Sequence, residues 1–355
     1  MRILVLSSKG RGTGCVLRAL SIARAFEKQG HHVTFLPPFP TLPLWFDMAL
    51  DMVFFFIEGL FRRADVAIGI KPYPTLVPAL WWQKWVHGAR IVLDVDDLDY
   101  DYSRGLFRSF HRALQLPWPR RADLVTYHNP HLREPLAGVF GVDPARCVSL
   151  PQGVETGWFR RAQPASEKLP KAARRFLAQR PKPLLIYTAH LNGACGLSEI
   201  LASLVLLLKD RPDTHLLVAG GGPDEYLFRE EAERRGVAGH VTFTGQLEPP
   251  QVAACLNLAD LALVYYGPGP ANDHRSSMKL REALASGVPV VATNVGENAT
   301  FGRHVHLSAP DPAAFARCVL SALKGRPKPA LPHKALEALK WEVCIRPLER
   351  RLLDP

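Results

Sequence analysis

Cysteine is sparse and scattered in this chain. Six stand at 15, 147, 195, 255, 318 and 344, and no two make a C-x-x-C pair, which argues against a zinc site or a disulfide framework. There is no short-period repeat and no low-complexity tract. The opening MRILVLSS holds one Arg and an apolar run only a strand long that leads into glycines, unlike a secretory leader. Together with reduced cysteines, this gives the expectation of a cytoplasmic protein, with the inner face of the cytoplasmic membrane as the second location. A long uninterrupted apolar run is also missing. FPTLPLWFDMALDMVFFFIEGLF (39–61) comes nearest, but Asp47, Asp51 and Glu58 break it. Their offsets of four and eleven fall on one helical stripe, so the segment reads as an amphipathic helix and not a membrane span. Such a helix packs on its own domain or lines a greasy acceptor groove. Acids are outnumbered, 33 against 44 Lys and Arg, for a formal net charge of +11. That suits anionic partners, or simply an arginine-rich surface. No nucleic-acid module is recognisable, so nucleic acid is not an expected partner.

What is present is a rhythm. RILVLSS, HVTFLP, ADVAIGI (64–70), ARIVLDV (89–95) and ADLVTYH (122–128) are short apolar runs of strand length separated by helical patterns. This predicts an α/β fold with a parallel sheet covered on both faces. Residues 160–183 hold eight Lys or Arg, one acid and four prolines, the composition of a linker with room for one short helix. The alternation then restarts with KPLLIYTAH, THLLVAGGGP, HVTFTG and LALVYY. The expected organisation is two doubly wound domains, 1–163 and 183–328, with a linker at 164–182. A last helix over HKALEALKWEVCIRPLERRLL is set apart by the prolines at 327, 329 and 332.

In open α/β sheets, ligands bind at the carboxyl ends of strands. Three places suit that. KGRGTG (9–14) meets neither the dinucleotide fingerprint nor the P-loop pattern, so it is either a close backbone approach to a ligand phosphate or a tight turn. GGGP (220–223) either lets a ligand lie against backbone or only turns the chain. SSMKLREALASGVPVVATNVGEN (276–298) reads as a helix ending at Gly287, then a buried strand, then a loop opening at Gly296. Ser276 or Ser277 caps that helix, whose free N–H groups attract a diphosphate. Lys279 adds a cation near its start, and Glu282 lies on the same face and suits a pair of ribose hydroxyls. In isolation the default reading of the two is a surface ion pair. The string DVDDLDYD (94–101) clusters acids that could bind a hard cation, hold sugar hydroxyls or act as a base, or sit idle in a solvated loop. Asp96 and Asp97 are the two favoured there. Arg104, Arg108, His111 and Arg112 share a helical face beside Phe107, Phe110 and Trp118. That pattern suits a peripheral membrane contact and equally a solvated helix with a packed underside. His128 reads as a polar strand-end residue or an acceptor contact.

Taken in order, these pieces resemble a GT-B fold glycosyltransferase of family GT4. The resemblance rests on ADLVTYHNPHLREPLAGVFGVDPARCVSLPQGVE, LLVAGGGPDEYL, HVTFTGQLEPPQVAACLNLADLALVYY, KLREALASGVPVVATNVGENATF and ALKWE, which cover nearly the full length. It implies two Rossmann-like domains facing across a cleft, with 329–355 crossing back to the N-terminal domain. The implied reaction transfers a sugar from a nucleotide-diphosphate sugar, with retention of configuration and without a metal or other cofactor. The implied acceptor is a cell-envelope glycan or a lipid-linked acceptor. The resemblance assigns Glu282 to the ribose and Gly296, Glu297 and Asn298 to the loop near the donor phosphates or sugar. It places Gly12 and Gly14 facing the diphosphate, and Gly245, Gln246 and Leu247 along the base.

The departures are specific. Where the family often carries an Arg and a Lys that neutralise the diphosphate, this chain has His190 and Cys195 in TAHLNGACG. The first glutamate of the family's pair becomes His274, and the His of its N-terminal motif becomes Asp96. Leaving-group stabilisation is chiefly electrostatic, so Arg275 and Lys279 are the replacement cations, with His190 contributing when protonated. The alternative to a working enzyme is a degenerate sugar-nucleotide-binding or partner-dependent scaffold subunit.

Overall fold

A computed structural model describes residues 1–8, 14–38, 44–96, 98–103, 105–161, 169, 174, 183–325, 328 and 330–354, without the side chains of 44–47 and 102. Gly12, Asp97, Arg104, the Asp47 side chain and most of the linker therefore lie outside the described residues. The chain forms two compact units. The first comprises Met1–Gly153, His274–Ser276 and Ala338–Pro355, and the second Val154–Asp273 and Ser277–Glu337.

The first unit is built on β1 (Arg2–Ser7), β2 (His32–Leu36), β3 (Val66–Ile70), β4 (Arg90–Val95), β5 (Leu124–Tyr127) and β6 (Cys147–Ser149). All pairings are parallel, in the order β2-β1-β3-β4-β5-β6. The order reverses between β1 and β3, which is the topological switch point. Helix α1 (Gly14–Lys28) buries Val16, Ala19, Ile22, Ala23 and Phe26 at helical spacing against one face. It ends before Gly30, whose φ of +87° suits glycine. On the other face lie α2 (Leu44–Leu60), α3 (Val77–His87) and α5 (Arg133–Gly138), while α4 (Gly105–Gln115) packs on the Asp99–Tyr102 turn.

Helix α2 turns out differently from the pattern of its acids. Asp51 is buried and Glu58 is paired with Arg62 at 2.6 Å, while Leu50, Val53, Ile57 and the following Phe61 are exposed. Asp51 thus lies on the packed side, Glu58 stays in an exposed ion pair, and a solvent-facing stripe of the helix is apolar. Helix α4 differs too. Arg108 donates to Asp101 at 2.8 Å, Ser103 meets His111 at 2.6 Å, and Arg108 and Arg112 both lie over the Tyr100 ring. The basic groups pack back onto the Asp99–Tyr102 turn, and Leu106, Phe107 and Phe110 are the exposed ones.

The second unit holds β7 (Leu184–Thr188), α6 (Leu197–Asp210), β8 (His215–Ala219), α7 (Glu225–Arg234), β9 (Val241–Phe243), α8 (Pro249–Leu256) and β10 (Leu261–Val264). After these come α9 (Pro270–Asp273), α10 (Met278–Ala285), β11 (Val290–Thr293), β12 (His306–Ser308), α11 (Pro312–Lys324) and α12 (His333–Ala338). Its strands are also parallel, ordered β12-β11-β10-β7-β8-β9. The switch point falls between β7 and β10, where this sheet reverses. As the sequence suggests, α10 ends at Gly287, with φ +71°.

The C-terminal segment is three helices where one was expected: α12, α13 (Trp341–Cys344) and α14 (Arg346–Leu353). Lys340 is extended, at φ −64° and ψ 137°, and breaks the first junction. Pro347 stands in the first turn of α14, where its missing N–H costs nothing. Trp341 is fully buried in the first unit, and a Cβ on Gly153 would lie 2.4 Å from its indole. The glycine of PQGVE is therefore required by packing. Among the described residues no helix is long and apolar enough to cross a membrane.

Candidate functional site

In the second unit the switch point gathers residues from β7, from the end of β10 and from α10. Ser277 caps α10, accepting from the Leu280 N–H, and Tyr266 donates to the Ser277 hydroxyl at 3.1 Å. Lys279 stands in the first turn. Its ammonium lies 4.6 Å from the ring centre of Tyr187 and 5.3 Å from that of Tyr266, and donates to the Tyr187 hydroxyl at 3.2 Å. Tyr187 in turn donates to the Cys195 carbonyl. Two aromatic faces and a hydroxyl thus fix a cation beside a helix N-terminus, an arrangement that favours anions. Neither tyrosine stands out in the sequence. Each closes or follows an apolar strand and reads as core.

Glu282 follows one turn later and is partly buried. Among the described residues no donor reaches its carboxylate. Burial pushes its pKa up to about 7, outweighing Lys279, which acts the other way. Such a carboxyl gains from hydroxyl donors supplied by a ligand. Glu297 is placed differently: its carboxylate is held in a buried ion pair by Arg281, whose guanidinium lies over Phe301. Asn298 is buried and donates to the Thr293 carbonyl at 3.1 Å. What the Gly296 loop leaves for a ligand is backbone, with Gly296 at φ +56°.

The glycines of GGGP answer to the protein itself. A Cβ on Gly220 would come 1.9 Å from the Ala189 carbonyl oxygen. One on Gly222 would come 2.2 Å from that of Leu191, and one on Gly221 2.7 Å from the Gln246 nitrogen. The loops after β7, β8 and β9 interlock through these contacts, which bring His190, Gly245, Gln246 and Leu247 together. Gly245 needs its φ of +72°. His190 and Gln246 are exposed, and Leu247 is buried. Cys195 is buried as a free thiol and presents its carbonyl inward, so it supplies no cation.

In the first unit the string of acids is largely spoken for. Asp94 is fully buried. It accepts from Arg18 Nε and Nη2 at 2.7 and 2.8 Å and from the Thr126 hydroxyl at 2.6 Å. Burial pushes its carboxyl up, but Arg18 and these hydrogen bonds outweigh burial and hold it below the usual range. Arg18 also donates to the Leu150 carbonyl and to Gln152. Asp99 accepts from Lys71 at 2.6 Å and from Tyr73 at 2.7 Å, and Asp96 pairs with Lys71 at 3.2 Å. The resemblance had no place for Lys71, and its only signal in the sequence is a charge directly after an apolar strand.

His128 and Asn129 are buried and meet the carbonyls of His274 and Arg275, at 3.3 Å for His128 and 3.2 Å for Asn129. His274 and Arg275 are therefore engaged through their backbone. Gly14 opens α1, exposed, with open space where a Cβ would stand.

Residues 170–338 match the family described as glycosyl transferases group 1. The chain is 33% identical over 177 residues to the GDP-mannose-dependent alpha-(1-6)-phosphatidylinositol monomannoside mannosyltransferase of Mycobacterium tuberculosis, covering 49% of this chain and 44% of that protein. It is 31% identical over 166 residues to the D-inositol 3-phosphate glycosyltransferase of Segniliparus rotundus, covering 45% and 34%. The matched region thus spans less than half the length of these curated relatives. Among solved structures, Anabaena HepE in complex with UDP and glucose matches over 100% of both chains, with a TM-score of 0.77 at 14% identity. Sucrose-phosphate synthase from Thermosynechococcus elongatus matches over 99% of both, with a TM-score of 0.76 at 18% identity. The fold is GT-B, and residues 170–338 are similar to the group 1 glycosyl transferases.

Proposed function

We propose that this protein is a glycosyltransferase that takes a nucleotide-diphosphate sugar on its second unit. The observation that carries the reading is the switch point of that unit: a cation fixed at a helix N-terminus, one turn from a partly buried carboxyl that no donor reaches among the described residues. Glu282 holds the two ribose hydroxyls. Lys279 and the first N–H groups of α10 hold the diphosphate. The interlocked loops at 189–191, 220–222 and 245–247 border the base, and the backbone at Gly296 borders the phosphates or the sugar.

The acceptor hydroxyl is oriented on the first unit by accepting groups at the end of β4, with Asp96 foremost. Its oxygen bonds to the sugar C1 as the C1–O bond to the diphosphate breaks. The electron pair leaves with the diphosphate, and the hydroxyl proton passes to the Asp96 carboxylate that accepts its hydrogen bond. Charge on the leaving group is met by side chains and a helix end, so the reading needs no resident metal and fits retention of configuration. The acceptor is a cell-envelope glycan or lipid-linked acceptor. This is supported by the relatives that act on a phosphatidylinositol mannoside, on an inositol phosphate or, in Bacillus subtilis, in teichuronic acid biosynthesis. The exposed Leu106, Phe107 and Phe110 of α4, beside Arg108 and Arg112, support a peripheral contact with an anionic membrane face.

The test is a thermal-shift panel of UDP, GDP, ADP, TDP and CDP sugars, since a ligand of the native state raises its melting temperature. One clear hit, lost in Glu282→Gln, is the expected result. No shift across the panel would sink the reading.

A further inference from the structure

Lys71 is the only non-glycine residue with positive φ among those described, at +69°. It directly precedes Pro72, so its backbone is doubly disfavoured. An L-residue resists the left-handed region, and a residue before proline is pushed toward extended geometry. Glycine or asparagine would suit such a turn far better. The conformation is pinned by the Lys71 N–H donating to the Asp94 carbonyl and by the Tyr73 N–H donating to the Lys71 carbonyl, both at 2.9 Å. The side chain is buried, 3% exposed. Burial disfavours an ammonium unless carboxylates surround it, and here two do. Asp99 accepts from Lys71 at 2.6 Å and from the Tyr73 phenol at 2.7 Å, anchoring the ammonium 3.2 Å from Asp96. Burial, then Asp99, raises the Tyr73 pKa, so the phenol stays a donor. Backbone strain of this kind persists where the surroundings over-determine it, and it clusters at working sites. Lys71 sits at the C-terminal end of β3, at the switch point of its sheet.

We propose that Lys71 is a positioning residue: its ammonium holds the Asp96 carboxylate ionised and oriented to accept a hydrogen bond from the hydroxyl that receives the sugar. This rests on the acceptor-side role given to Asp96 above. Among the described residues, Arg18 on α1 and Tyr73 also act electrostatically on Asp96, Asp99 shares the lysine with it, and Asp94 in β4 has His128 after β5 beside it.

The test uses Lys71→Met, Lys71→Arg and, as a charge-balanced control for folding, Lys71→Met with Asp99→Asn. The Asp96 carboxyl carbon is followed by NMR in full-length protein labelled on aspartate, with Asp96→Asn giving the assignment. In Lys71→Met and in the double variant its titration should move up by about one pH unit or more, and in Lys71→Arg it should stay near the wild-type value. With the sugar nucleotide that raises the wild-type melting temperature, nucleoside diphosphate release to water or acceptor should fall at least tenfold in the Met variants. The melting shift from that nucleotide should be retained, and Lys71→Arg should recover part of the rate. A merely structural lysine would let the charge-balanced variant regain its rate. That result, an unmoved Asp96 titration, or full turnover in Lys71→Met would each overturn the positioning role. Absence of any nucleotide shift in the wild type would sink the glycosyltransferase reading instead, and the positioning role with it.

Discussion

The two sheets meet the same topological problem and settle it differently. Each is parallel and six-stranded, and each reverses its strand order next to its first strand. At the first switch point the acids are matched inside the protein: Arg18 closes on Asp94, and Lys71 bridges Asp96 and Asp99. At the second, a lysine is fixed between two aromatic rings while the carboxyl one turn on has no donor among the described residues. A closed charge network rigidifies its surroundings and stores orientation. A carboxyl left without donors carries an energetic cost that a ligand can relieve. The proposed acceptor-side positioning on one unit and donor recognition on the other rest on that contrast.

The largest effect tests the closed side. Asp94→Ala leaves the fully buried Arg18 without its carboxylate, and breaking such a pair from one side costs about 3–5 kcal/mol. The urea midpoint should fall accordingly, with little change in slope. An effect under about 1 kcal/mol would mean that the network is not closed as described.

The open side is tested by Lys279→Ala. Affinity for the nucleoside diphosphate that binds the wild type should drop by about tenfold or more, since a fixed cation beside a helix N-terminus is lost. The melting temperature without ligand should change little. Calorimetric titration gives both sides of that comparison, and unchanged affinity would remove Lys279 from the site.

The smallest effect comes from Glu282 and depends on pH. Its pKa is raised from an ordinary carboxyl value to about 7, so between those values the folded state binds more proton than the unfolded. Stability therefore falls as pH rises from about 5 to 7 and stays lower above that. Because the carboxyl is only partly buried, the change is about 1 kcal/mol. Glu282→Gln should abolish this slope, measured as the difference in urea stability between pH 5 and pH 8. A wild-type protein with no such slope would place Glu282 in a more solvated setting.

The strand rhythm made the central strands of both sheets legible, because a parallel strand buried on both faces writes itself as an apolar run. Of the three three-residue edge strands, β9 was legible in HVTFTG, whereas β6 and β12 left no such mark. Their sequences, CVS and HLS, are too short and too mixed to show a period. Within the site, Ser277, Lys279 and Glu282 were visible because helical spacing puts neighbours three and four apart on one face. Tyr187, Tyr266 and Lys71 were not, since what they touch lies far along the chain: 92 residues separate Lys279 from Tyr187.

By itself the sequence determined what local periodicity and spacing can carry: two doubly wound halves, a capped helix with Lys279 and Glu282 on one face, and a cluster of acids after β4. Only the tertiary structure decided what each charge faces. It gave Asp94 to Arg18 and Glu297 to Arg281, assigned the glycines of GGGP to packing between loops, and turned an apolar stripe of α2 outward. Ion pairs and close backbone contacts form between segments distant in sequence, and their energies depend on burial and geometry that no local pattern encodes.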